Sequence, residues 1–359
     1  MTARIIAARR SAVIPRGGTF ARLSIEQLAG PVIGALLADA GIDPSAVDEV
    51  ICANALGGGG NPARRIALAA GMGHVAGLTI DRQCVGGLDA VLLARALVQS
   101  GAARLVVAGG VESYSRRPQR WRTDPDGGAA VFYDQAPFTP WPDRDPDMAV
   151  AANALAQRLG ISRTTQDAWA VASHAAALRA DMSAEIVPVA AQVRDAFART
   201  LTPGLAARAP AITGSITAAN AAVAADAAAF VLVTDADMAN GRGMEIVSGA
   251  TLGADPEQPG LAPVPAIASA LAQAGIGPAD LSVIELMEAY AVQAIGCAQI
   301  AGLDPALINL SGGGLARGHP IGASGAILAV RLFYQLQQGF GLAAIAAAGG
   351  LGTALVVRR

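Results

Sequence analysis

Residues 312–325 read GGGLARGHPIGASG. Six of these fourteen residues are glycine, and the run holds His319, one of only three histidines in the chain. Glycine at this density lets backbone come close to a ligand and adopt positive φ. After Gly325 the text becomes AILAVRLFYQL, apolar at helical spacing, so the run reads as a loop feeding a helix N-terminus. Backbone N–H groups at such an end favour negative charge. A histidine placed just before it suits a general base that faces a developing anion.

The partner for such a base is a nucleophile, and Cys84 has the matching context. It follows LTIDRQ, a predicted strand, and precedes VGGLDAVLLARALVQSG, a glycine-flanked turn and helix. A helix start lowers the pKa of a thiol, so Cys84 is expected to be acidic. Thiol plus imidazole is the logic of acyl transfer. Cys52, in an apolar strand, and Cys297, in a helix, read as structural cysteines. His74, in the loop GMGHVAG, and His174, on a helix beside residues that look solvated, compete less well for the role of base.

Composition narrows the field. The 359 residues are 53% hydrophobic and 15% charged, with net charge −2, which supports a large core and argues against a nucleic-acid surface. No lysine occurs, so Schiff-base chemistry on the protein is excluded. Neither a membrane span nor a signal peptide is read, and three cysteines without metal-ligand spacing fit a reducing cytoplasm with no metal site.

The chain repeats itself. ADAGIDPSAVDEVICANA, from Ala38, and AQAGIGPADLSVIELMEA, from Ala272, share turn chemistry and strand position at an offset of 272 − 38 = 234 residues. Downstream of each copy lies a glycine-rich turn, a helix and an apolar strand: Cys84 onward in one, His319 onward in the other. Continuous apolar strands alternating with helices predict buried, largely parallel sheets covered on both faces. Packing of two such halves would bring both helix starts together at a pseudo-twofold axis. Between them, Ser113 to about Pro146 is rich in Pro, Arg, Asp and Trp and is predicted to be loop. Helices are predicted over 25–40, 148–159, 164–179 with Ser162 as N-cap, and 266–274.

Together RQCVGGLDA, GGVES, ITAANAAVAADAAAFVLV, ELMEAYA, GGGLARGHPIGASGA and GLAAIAAAGGLGTAL resemble the thiolase family, over about residues 3–357. The resemblance implies an α/β fold of two similar αβαβα halves in five layers. On that pattern 1–112 with 211–238 and 239–359 are the halves, and 113–210 is an inserted loop domain. It implies an acyl-CoA acyltransferase, a CoA thioester as substrate with no permanently bound cofactor, and a homodimer or homotetramer. Cys84 matches the nucleophile, His319 its base, and the backbone N–H groups of Cys84 and Ala348 an oxyanion hole.

Departures from the family pattern are specific. Ala346 stands where the family has its second, acid/base cysteine. Met287 stands for the asparagine that holds a water in the other oxyanion hole, and methionine donates no hydrogen bond. Ala222 replaces a serine near the pantetheine. Glu288 is weighed as a substitute acid/base against a structural role, which is favoured. The expectation is acyl-Cys84 chemistry with impaired or altered Claisen and thiolysis steps. The alternative is a non-catalytic thiolase-like subunit that binds CoA or docks a partner protein through 116–142.

Overall fold

The computed structural model describes residues 2–359. In chain order its core elements are β1 (Ala3–Ser11), α1 (Ile25–Ala40), β2 (Glu49–Ala53), β3 (Leu78–Ile80), α2 (Gly86–Ser100) and β4 (Leu105–Ser113). Next come α3 (Met148–Leu159), α4 (Arg163–Arg179), β5 (Ala225–Asp235), β6 (Met244–Gly253), α5 (Pro263–Ala274) and β7 (Leu281–Leu286). The last are α6 (Ala291–Ala301), α7 (Ile321–Gln335), β8 (Phe340–Ala347) and β9 (Leu351–Arg358).

The strands line up in the order β7-β8-β9-β6-β1-β5-β4-β2-β3. The halves join where β1 pairs β6, Arg4 opposite Glu245 and Ile5 opposite Met244. Outward from that seam β1-β5-β4-β2 corresponds to β6-β9-β8-β7, and β3 adds an edge strand to the first half. The repeat extends to fine detail: the 3-10 turns Pro44–Ala46 and Pro278–Asp280 lie 278 − 44 = 234 residues apart. Helix α1 covers one outer face and α5 the other, while α2 and α7 pack against each other between the two half-sheets. That makes five layers, as the family resemblance implies.

Strand direction departs from the sequence-based expectation. Pairs β2–β3, β2–β4 and β7–β8 are parallel, but β1–β5, β4–β5, β6–β9 and β8–β9 are antiparallel. The sheet is therefore mixed. Continuous apolar runs report burial on both faces, not direction: every residue of β4 and β5 is buried, yet these strands pair antiparallel.

The glycine-rich run is also more helical than expected. Gly314–Arg317 forms a short turn of helix, and α7 begins at Ile321, ahead of Gly325. These glycines serve close packing. A Cβ on Gly87 would lie 2.7 Å from the backbone of both Gly322 and Ala326, and one on Gly325 would lie 2.4 Å from the nitrogen of Leu88. Helices α2 and α7 can thus cross almost backbone to backbone. In the inserted stretch, Arg120–Arg122 and Val131–Tyr133 pair as a short hairpin where only loop was expected. Arg-Trp-Arg alternates, and Val-Phe-Tyr is a β-branched and aromatic run of the kind that favours strands. Ser162 does cap α4, accepting from the N–H of Thr165 at 3.1 Å. Among the described residues, no helix is long and apolar enough to cross a membrane.

Candidate active site

Cys84 lies in the tight turn Gln83–Val85 that leads into α2. The preceding residue, Gln83, holds φ at 50°, a left-handed conformation that is strained for a side chain larger than glycine. Asp81 holds it there: its carboxylate accepts from the Gln83 backbone N–H at 2.9 Å and from the Gln83 side-chain amide at 3.1 Å. Glycines at 86 and 87 then let α2 start against Ala53 and α7.

His319 sits just before α7. Its backbone N–H donates to Val223 O at 2.7 Å, which fixes the loop to the chain entering β5. The ring Nδ1 lies 2.6 Å from Ser324 Oγ. With the Ser324 hydroxyl donating to Pro320 O at 3.1 Å it can accept from an Nδ1–H, and in that tautomer Nε2 is free to accept. Nε2 lies 3.0 Å from Cys84 Sγ. The two ends of the repeat therefore meet as a thiol donating to an imidazole base.

Burial controls the charge of this pair. Desolvation pushes the Cys84 thiol up to about 12, with a smaller push from Glu112, and draws His319 down to about 4. Removal from water thus opposes the acidic thiol that the helix start favours. From a neutral pair, a thiolate forms as its proton passes to His319.

Glu112, buried at the end of β4, escaped the sequence reading. It accepts from Asn54 Nδ2 at 2.9 Å, the N–H of Ala55 at 3.1 Å, that of Leu56 at 3.3 Å and that of Gly322 at 3.0 Å. It ties the first half to the start of α7, and desolvation raises it to about 7. The signal available was an acidic residue ending a wholly apolar strand. Asp89, also unpredicted, accepts from Arg82, Thr251 and Thr353 and so links α2 to β6 and β9.

A cavity of about 390 Å³ opens onto the pair. Cys84, His319, Tyr290, Ala222, Ala346 and Ala348 all line it. Met287 does not; it is buried in the core, with its thioether against Gly314. Glu288 is also absent from the wall. Its Oε1 accepts from Trp169 Nε1 at 3.0 Å and Asn309 Nδ2 at 2.8 Å, and its Oε2 from Ser173 Oγ at 2.8 Å and the N–H of Leu315 at 3.2 Å. This is the structural role the sequence favoured. The other histidines lie apart. His74 bonds Val47 O at 2.9 Å on the surface. His174, expected beside solvated residues, is fully buried against Phe197. Cys52 and Cys297 are buried away from the cavity.

Two repeated α/β halves closing on a cysteine–histidine pair define an acyl-transferring α/β enzyme. Comparison with known proteins agrees. Residues 3–237 match the thiolase N-terminal domain and 243–359 the thiolase C-terminal domain. A Bacillus subtilis (strain 168) protein, YhfS, provisionally named an acetyl-CoA C-acetyltransferase, is 38% identical over 99% of both chains. Staphylococcus aureus (strain MRSA252) VraB, provisionally named likewise, is 36% identical over 99% of this chain and 98% of its own. The crystal structure of a Bacillus anthracis acetyl-CoA acetyltransferase superposes with a TM-score of 0.93 at 31% identity, covering 99% of this chain and 98% of that one. The chain belongs to the thiolase family of acyltransferases.

Proposed function

We propose that this chain takes an acyl group from an acyl-CoA thioester onto Cys84, and that its later carbon–carbon steps are altered relative to the family. The observation that carries the reading is Cys84 Sγ lying 3.0 Å from His319 Nε2 at the wall of a cavity. In the first step the Cys84 proton passes to Nε2 as sulfur attacks the thioester carbon. The carbonyl pair moves to oxygen, where the backbone N–H groups of Cys84 and Ala348 would receive it. Collapse expels the CoA thiolate, which takes the proton from His319, and acyl-Cys84 remains.

Relatives named acetyl-CoA C-acetyltransferase point to short acyl groups. The next step is where this chain differs. Ala346 lines the cavity where the family pattern has a cysteine, and Met287 is turned into the core. Loss of a positioned acid/base costs about 10²–10⁴-fold, and loss of an oxyanion donor about 10²–10³-fold. Acylation needs neither group. Retention of the paired thiol and imidazole weighs against a non-catalytic subunit.

Intact-mass spectrometry after incubation with acetyl-CoA tests this. Wild type is expected to gain one acetyl group and release one CoA, and Cys84→Ala to gain none. No gain on wild type, or an equal gain on the variant, overturns the proposal.

A further inference from the structure

The part of the wall that the end of β8 presents to Cys84 carries no side-chain proton donor. Strand β8 packs against the Cys84 turn, and its end contributes Ala346 and Ala347, followed by Ala348. Ala222 and Ala289 also belong to the apolar lining. Among the donor side chains of the cavity, which include Gln83, Gln293 and Tyr114, Tyr290 stands where the family's Asn-Glu-Ala-Phe run has phenylalanine. It is the N-cap residue of α6, pinned by a bridge to Ala221, with its ring packed on the α3–α6 cluster. Its hydroxyl has no hydrogen-bond partner among the described residues, although it borders the same cavity as Cys84 and His319. The other cavity tyrosine, Tyr114, is instead held under the guanidiniums of Arg117 and Arg16, at 4.6 Å and 5.4 Å.

A hydroxyl with no protein partner at a cavity wall is free to donate to a substrate oxygen. Desolvation, with a smaller push from Asp147, raises the phenol to about 12, so it stays protonated at neutral pH. It can donate but cannot serve as a base. A fixed donor accelerates a step in which negative charge grows on the oxygen it faces. Attack by water places no such charge on the acceptor; an enolate does.

We propose that Tyr290 is a catalytic residue whose hydroxyl donates to the carbonyl oxygen of the carbon acceptor, stabilising that acceptor's enolate. This rests on the acyl-Cys84 reading and gives the family's carbon–carbon step a donor from this chain's own sequence. In the cleavage direction, Cys84 passes its proton to His319 Nε2 and attacks the 3-keto carbon of a 3-ketoacyl thioester. The C2–C3 bond breaks, and its electron pair becomes an enolate whose oxygen accepts from Tyr290. The α-carbon then takes the proton from His319. One acyl-Cys84 and one shortened thioester result, with no other reactant.

Two acyl donors separate the steps. Acetyl-CoA and acetoacetyl-CoA both leave acetyl-Cys84, but only the second expels an enolate. For Tyr290→Phe, adduct formation from acetyl-CoA is expected to stay within about twofold of wild type, while that from acetoacetyl-CoA falls about 100-fold, the loss typical of one oxyanion donor. A fluorotyrosine at position 290, a more acidic donor of nearly the same shape, should retain or exceed the wild-type rate with acetoacetyl-CoA. Equal rates for wild type and Tyr290→Phe, an equal slowing with both donors, or a wild type acylated by acetyl-CoA but inert to acetoacetyl-CoA would each overturn the proposal. Absence of any adduct from acetyl-CoA on wild type would instead overturn the acyl-Cys84 reading itself.

Discussion

At Cys84 two physical terms oppose each other, and their balance is measurable. The helix start favours a thiolate by about 0.3–1 kcal/mol at an exposed site. Burial acts the other way and wins, leaving the thiol near 12 and His319 near 4. A stable thiolate–imidazolium pair would alkylate at a constant rate from pH 6 to 9. A neutral pair reacts through its small thiolate fraction, which rises about tenfold per pH unit below the thiol pKa. Iodoacetamide labelling of Cys84, followed by mass spectrometry with Cys84→Ala as background, is therefore expected to rise steeply across that range. Cys52 and Cys297 are buried and should label little. A flat profile would show that the ion pair exists at rest. The residues themselves were readable from sequence: a cysteine and a histidine, each in a glycine-rich turn before a helix. Their tautomer and charge were not, because both depend on Ser324, Pro320 and desolvation, which only the folded chain brings together.

The elements that create the pair are α2 and α7, and their glycines set the distance. In sequence the run around His319 looks like a flexible loop, because glycine density signals turns and close approach alike. The structure resolves the ambiguity: Gly87 and Gly325 lie within helices and are crossing contacts, while Gly322 packs on Ala53, Asn54 and Glu112. Gly87→Ala would put a methyl carbon 2.7 Å from backbone atoms of α7. Backbone cannot swing aside as a flexible side chain can, so the helices must separate. Overpacking of this kind costs about 1–3 kcal/mol. The separation also widens the 3.0 Å gap between Cys84 and His319. The expected result is a lower urea midpoint together with slower acetyl-Cys84 formation. Wild-type values for both would show that the crossing tolerates a methyl group and that the glycines have another purpose.

At the scale of the whole molecule, the 234-residue repeat made the two-half architecture legible, since paired turns and strands recur in order. What stayed hidden was how the inserted segment is anchored, because its contacts join residues more than 100 positions apart. Trp169 and Ser173, on α4 of the insert, both donate to Glu288 in the second half, and Ser173 also accepts from the N–H of Gly313. Glu288 thus clamps the insert to the loop that carries His319. Replacing it by glutamine sets an amide NH₂ where donors already point, at a cost of about 1–3 kcal/mol for the buried groups left unpaired. Glu288→Gln is therefore expected to lower the melting temperature and to slow acylation by loosening residues 312–319. The shape of the pH–rate profile should not change, because the carboxylate stands outside the cavity wall. An acid/base role makes the opposite forecast: one limb of the pH profile lost while the melting temperature holds. Calorimetry and acylation rates on one variant decide between a clamp and a proton carrier.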